Sequence, residues 1–195
     1  MPRPRIAIII GTTRQGRFGE RPARWLHKLA EARGDADYEL VDLRDYAMPL
    51  FDEPKSPAME PVKHPEAVRF REVVARSDGF VLVTAEYNHG IPASLKNAMD
   101  HVYAEWARKP AAFVSYGGVG GARAVEQLRL VCVEVHLAPL RNTVGIGRPD
   151  FGQLMQGKDF EEFPALAQAA GTMLDDLMWW THALKAAREA ASPPG

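Results

Sequence analysis

The feature that most constrains this chain is a pair of short, unbroken apolar runs, IAIII at residues 6 to 10 and GFVLVTA at residues 79 to 85. Both are rich in β-branched residues, and both fall far short of the ~20 residues that a membrane helix needs. A strand that is apolar on both sides of its pleat must be covered on both faces, as strands are in a parallel sheet between helix layers. With three further segments, strands are expected at Arg5–Gly11, Tyr38–Leu43, Gly79–Ala85, Ala111–Tyr116 and Pro139–Ile146. The second and fifth alternate in polarity, which suits sheet edges.

Amphipathic spacing fills the intervals. Helices are expected over Phe18–Arg33, Pro65–Ser77, Ser94–Trp106, Gly121–His136 and Phe160–Ala191. Five β-α repeats make an α/β fold with a doubly wound parallel sheet and helices on both faces. Right-handed crossovers favour the flavodoxin-like strand order 2-1-3-4-5. The chain has 195 residues and 46% hydrophobic content, enough for one core, so residues 1–195 are expected to form a single domain. Residues 44–65 hold five prolines and read as a long loop on the same edge as the strand C-termini. The C-terminal SPPG is expected to fray.

Charge and composition exclude several roles. A net charge of -1 with 25% charged residues argues against a nucleic-acid coat. One cysteine, Cys132, allows no internal disulfide, and the scattered histidines give no metal constellation. No secretory leader or membrane span is evident, so a cytoplasmic location is expected.

Three loops carry chemistry. GTTRQGRFG, residues 11 to 19, ends the first strand and opens a helix. It matches neither dinucleotide nor phosphate-loop fingerprints. It does offer hydroxyls at Thr12 and Thr13, guanidinium groups at Arg14 and Arg17, flexible backbone at Gly11, Gly16 and Gly19, and a helix N-terminus. From Met1 to Leu26 there are six arginines and one acid, so a terminal phosphate is the natural guest. The plainer alternative is a helix-capping Thr12 with solvated arginines. EYNHG, residues 86 to 90, ends the third strand. SYGGVGG, residues 115 to 121, ends the fourth, with four glycines in its last five positions. In strand order 2-1-3-4-5 these turns flank one crevice at the strand C-termini. Walled by Tyr87, Asn88 and bare backbone, that crevice suits a flat heteroaromatic. The alternatives are plain turns and a hydrogen-bonding loop histidine at His89.

GTTRQGRFG, AEYNHGIPASLKNAMDH and SYGGVGGARAVEQLR, in that order, resemble the NAD(P)H-dependent FMN reductase family, which includes quinone, azo-dye and chromate reductases. PLFDEP, residues 49 to 54, is also similar to the family's segment after strand two. The resemblance covers roughly residues 5 to 146. It implies non-covalent FMN, with Thr12, Arg14, Arg17, Phe18 and Gly19 at its phosphate. Glu86, Tyr87, Asn88 and His89 are implied along the isoalloxazine and ribityl, and Ser115, Gly117 and Gly118 at the ring's other edge. The chain departs from the family at Ala85, where Pro is usual, and at Arg17 and Gly19, where Ser and Asn are frequent. The implied activity passes hydride from NADPH or NADH through bound FMN to a small oxidised acceptor such as a quinone, azo compound, free flavin or metal oxyanion. No side chain is assigned as a catalytic acid or base, and no metal is implied. A flavodoxin-type electron carrier and a non-enzymatic FMN-binding module stay open beside it. Apolar residues almost all round LRLVCVEVHL, residues 128 to 137, and the adjacent Trp179 and Trp180 point to a homodimer or homotetramer.

Overall fold

The apolar runs pair into one five-stranded parallel sheet of order β2-β1-β3-β4-β5. In the computed structural model, which describes residues 3–191, the strands are β1 (Arg5–Ile10), β2 (Asp37–Asp42), β3 (Gly79–Ala85), β4 (Pro110–Tyr116) and β5 (Ala138–Ile146). The SPPG tail lies outside the described residues. β3 and β4 are buried along their whole length, whereas β2 and β5 alternate, as their edge positions require.

Because successive strand residues point to opposite faces, each strand feeds two cores. Ile6, Ile8 and Ile10 of β1 join Val81, Val83 and Val114 beneath α1 (Glu20–Glu31) and α6 (Pro164–Ala191). Ala7 and Ile9 join Phe80, Leu82 and Phe113 on the other face. That face is covered by α2 (Pro65–Arg76), α3 (Ala93–Asp100) and α4 (Ala122–Glu134). Cys132 of α4 is fully buried there, and burial pushes its thiol up to about 12, so it packs as a small apolar residue.

Two helical expectations shift, and one helix is new. The helix expected through Trp106 ends at Asp100, and a 3-10 turn follows at Ala104–Trp106. This break sets Trp106, 0% exposed, against Phe80 with ring centroids 4.7 Å apart. The last helix begins at Pro164 rather than Phe160, behind a 3-10 turn at Phe160–Glu162 whose Asp159 and Glu162 form a capping box. A short helix, α5 (Asp150–Met155), was not signalled by periodicity, since six residues make less than two turns.

Register fixes where the loops emerge. Ile10 lies beside both Asp42 and Val83, Val83 beside Val114, and Ala85 beside Tyr116. The turns after β1, β3 and β4 therefore leave adjacent strands on one sheet edge. The proline-rich segment docks near this edge, where Pro49 O accepts from Asn97 Nδ2 at 2.8 Å and from the His101 ring at 3.0 Å. No helix among the described residues is long and apolar enough to cross a membrane.

Candidate functional site

The loop after β1 is shaped by a layer of contacts beneath it. Gly11 N–H donates to Val83 O at 2.9 Å, and Ser94 Oγ to Gly11 O at 2.7 Å. Arg44, just past β2, donates to Thr13 O at 3.0 Å and to Arg14 O at 2.6 Å. Gly19 N–H, at the end of the loop, faces the Tyr116 hydroxyl. Among the described residues, no backbone N–H from 12 to 19 donates to a backbone carbonyl. The N-terminus of α1 adds its partial positive charge at the same place. Such a cradle, with Arg14 exposed beside it, fits an anion.

The residues expected at the phosphate divide in two. Arg14 is exposed, as is its neighbour Thr13, whereas Thr12, Arg17, Phe18 and Gly19 lie beneath the loop surface. The expectation that Arg17 faces an anion is not how its side chain is placed. Its guanidinium grips both oxygens of Asp42 and donates to Thr12 O at 2.6 Å. Burial works against the Asp42 charge, but hydrogen bonds from Arg17 and the Arg44 N–H outweigh it and hold the carboxyl below the usual range. Asp42 in turn raises the Arg17 guanidinium. Phe18 turns inward onto Tyr116, Phe151 and Phe160. Gly19 is sterically required: a Cβ there would come within 2.7 Å of Tyr116 Oη and 2.8 Å of Thr12 Oγ1.

The turn after β3 is a two-residue hairpin. Tyr87 and Gly90 exchange hydrogen bonds of 2.9 and 3.0 Å. Asn88 and His89 between them both have positive φ, 50° and 75°, the signature of a type I′ turn. Holding two non-glycine residues there costs about 1 kcal/mol or more each, so the surroundings must enforce it. Just past the turn, Gln127 of α4 accepts at its Oε1 from Ile91 N–H at 2.8 Å. Tyr87, Asn88 and His89 face outward. Glu86 does not. Its carboxylate receives Arg123 Nε at 2.5 Å and the Arg123 backbone N–H at 3.2 Å, capping α4. Burial opposes its charge, yet these bonds hold Glu86 below the ordinary carboxylate range.

The turn after β4 is built of backbone. Ser115 is 1% exposed, and its Oγ donates to Gly120 O at 2.6 Å, closing the glycine turn. Gly120 and Gly121 have φ of 72° and 74°, and a Cβ on Gly121 would strike Ser115 Cβ at 2.7 Å. Gly118 has nothing within 4 Å of its Cβ position and offers open backbone. The three turns are tied together. Glu86 N–H donates to Tyr116 O at 3.0 Å, and Tyr116 Oη lies 3.3 Å from Thr12 Oγ1. Tyr116, Asp42, Arg44, Ser94 and Gln127 all escaped sequence reasoning, because each acts through a partner remote in the chain. The one available signal was position, since Asp42 and Tyr116 end strands at the crevice edge.

Two cavities flank the crevice. One, of about 310 Å3, lies between the β1 loop and the proline-rich segment, lined by Thr13, Arg44, Met48 and Asn97 among others. The larger, of about 570 Å3, lies beyond the glycine turn, between α4 and β5. Its lining includes Ser115 and Gly118 but neither the β1 loop nor Tyr87. No cluster of possible metal ligands occurs among the described residues.

The family model for NADPH-dependent FMN reductase matches residues 4–149, from just before β1 to just past β5. The chain belongs to this family. An NAD(P)H-dependent FMN reductase of Schizosaccharomyces pombe is 39% identical over 140 residues, covering 70% of each chain. A 2-hydroxy-1,4-benzoquinone reductase of a Burkholderia species is 33% identical over 136 residues, 66% of this chain and 69% of that one. The solved structure of a flavoenzyme NAD(P)H:(acceptor) oxidoreductase from Paracoccus denitrificans superposes with a TM-score of 0.70. It covers 92% of this chain and 97% of that one at 22% identity, which bears on the fold. Family membership makes this FMN reductase relative an oxidoreductase that uses FMN and NAD(P)H.

Proposed function

We propose that this FMN reductase family member reduces a small oxidised acceptor, such as a quinone, azo compound, free flavin or metal oxyanion, at an FMN held non-covalently in the crevice. The observation that carries this is the joining of three turns at one sheet edge, with loop amides that donate to no backbone carbonyl at one end and bare glycine backbone at the other. That arrangement fits a phosphorylated planar guest. Arg14 and the amides of the β1 loop hold the phosphate. Thr12, Arg17, Phe18 and Gly19 set the shape of that loop from below. Tyr87, Asn88 and His89 cover the ribityl and one side of the ring, and the backbone of Gly117 and Gly118 meets its other edge. Glu86 and Ser115 keep the two ring turns in place through Arg123 and Gly120. When bound, FMN supplies the redox chemistry, taking hydride from the nicotinamide and passing electrons to the acceptor. Amide donors near the ring stabilise negative charge there, and no side chain has to move a proton. The proposal includes self-association, with apolar helix faces buried between copies, and action in the cytoplasm.

The test is rapid mixing of FMN-loaded protein with NADPH and with NADH under anaerobic conditions. Bleaching of the flavin absorbance, followed by reoxidation on adding a quinone, is expected. A stoichiometric FMN complex that stays oxidised with both donors would sink the proposal.

A further inference from the structure

The carbonyls of the β1 loop are held in an unbroken run. Ser94 Oγ donates to Gly11 O at 2.7 Å, Arg17 to Thr12 O at 2.6 Å, and Arg44 to Thr13 O at 3.0 Å and to Arg14 O at 2.6 Å. Among the described residues, none of these four carbonyls accepts from a backbone N–H, so side chains alone fix their directions. The last two bonds come from one guanidinium, through Nε and Nη2 of Arg44. Two successive carbonyls that meet one planar fork lie on the same side of the chain. Across a planar trans peptide the N–H points opposite to the C=O. The amides that follow, Arg14 N–H and Gln15 N–H, therefore both point away from Arg44. Successive amides turned to one side are what an anion-binding nest consists of.

Arg44 is itself placed by β2. It lies in the 3-10 turn Leu43–Asp45, and Asp42, the cap of that turn, accepts its backbone N–H at 3.0 Å. The same Asp42 oxygen accepts from Arg17 at 2.6 Å. One carboxylate thus positions both arginines against three successive carbonyls. The two arginines differ in what their removal does. Arg17 is buried, and its loss leaves Asp42 without its charged partner. Arg44 is exposed, and the N–H by which Asp42 holds it belongs to the main chain. A substitution at position 44 therefore keeps that anchor and removes the grip on the loop.

We infer that Arg44 is a positioning residue: it gives the crevice its preference for a phosphorylated flavin by aiming the Arg14 and Gln15 amides before the ligand arrives, without bonding the phosphate itself. The inference rests on the FMN site proposed above. Fluorescence titrations of the wild-type protein, Arg44→Lys and Arg44→Met with FMN and with riboflavin test it. Each variant is expected to weaken FMN about tenfold and to leave riboflavin within about twofold. Lysine keeps the charge but not the fork. A lysine variant with the wild-type FMN-over-riboflavin ratio therefore overturns the proposal, because charge alone then accounts for the preference. Equal weakening of both flavins overturns it as well, since damage to the whole crevice gives that result. Tryptic cleavage after Arg14 in the flavin-free protein separates positioning from direct contact. Cleavage there is expected to run several-fold faster in both variants, because a loop without its grip opens more often. An unchanged rate contradicts the positioning role. A wild-type reductase whose flavin ratio neither variant moves defeats this inference alone, whereas a wild-type protein that binds neither flavin defeats the parent function and this inference with it.

Discussion

Gly19 has no side chain because Tyr116 occupies the space a side chain needs. The Tyr116 hydroxyl sits between Thr12 and the start of α1, and burial raises its pKa, so it stays a neutral hydrogen-bonding group. Gly19→Ala should cost roughly 1–3 kcal/mol through overpacking and weaken FMN binding. Tyr116→Phe alone should cost about 1 kcal/mol. In the Tyr116→Phe background the alanine penalty should shrink, because one of its two close contacts is gone. Denaturant melts and flavin-fluorescence titrations over the four-protein cycle read this directly, and strictly additive penalties would refute it. A second residue-scale consequence concerns acid. Asp42 has a folded-state pKa below its unfolded value, so its contribution is complete above the unfolded value and fades as pH falls through the folded one. Asp42→Asn should therefore cost roughly 2 kcal/mol near neutrality and progressively less in acid, measured as the difference in unfolding free energy. The sequence displayed the charge of Arg17 but not its direction. An arginine beside a glycine-rich loop reads as an anion ligand until a counter-charge 25 residues away is found to face it.

At the scale of elements, strands were the most legible, because a run such as GFVLVTA has no alternative to burial on both faces. Helix ends were less so. The apolar spacing through Trp106 is genuine, yet helical geometry stops at Asp100, and Val102 and Trp106 reach the core from a turn. Periodicity reports which residues are buried, not whether one helix carries them all. The EYNHG turn was legible as a turn, but its anchoring at Ile91 comes from Gln127, on a helix that begins some 30 residues later. Another long-range contact ends α2. Lys109, at the start of β4, donates to Val74 O at 2.7 Å and to Ala75 O at 3.1 Å, satisfying the last turn of that helix. Burial, and then the nearby Arg188 charge, lower its pKa from 10.5 to about 8. The unfolded chain thus binds more protons between these two values, and stability conferred by Lys109 rises with pH across that window. Measured against Lys109→Met, the wild-type advantage should grow by at most about 3 kcal/mol over the window. A difference independent of pH there would contradict the assignment.

For the whole molecule, the apolar excess noticed in the sequence resolves into two separate patches. Leu130 and Val133 on α4 are 74% and 63% exposed, while Trp179 on α6 is 65% exposed beside Trp180. α4 and α6 cover opposite faces of the sheet, so one contact cannot bury both patches. The expected outcome in light scattering is a multiple of the 21.6 kDa chain mass. A Leu130→Glu/Val133→Glu variant and a Trp179→Glu variant should each reduce the assembly by breaking a different contact. A wild-type monomer would exclude this. Within one chain, the Tyr116 bridge has a further effect. Its hydroxyl touches the first loop while its main chain carries the third and holds the second. The two halves of the crevice are thus joined through one residue. With riboflavin offered to one end and inorganic phosphate to the other, any coupling carried by Tyr116 must be reciprocal, each ligand changing the affinity for its neighbour by the same factor.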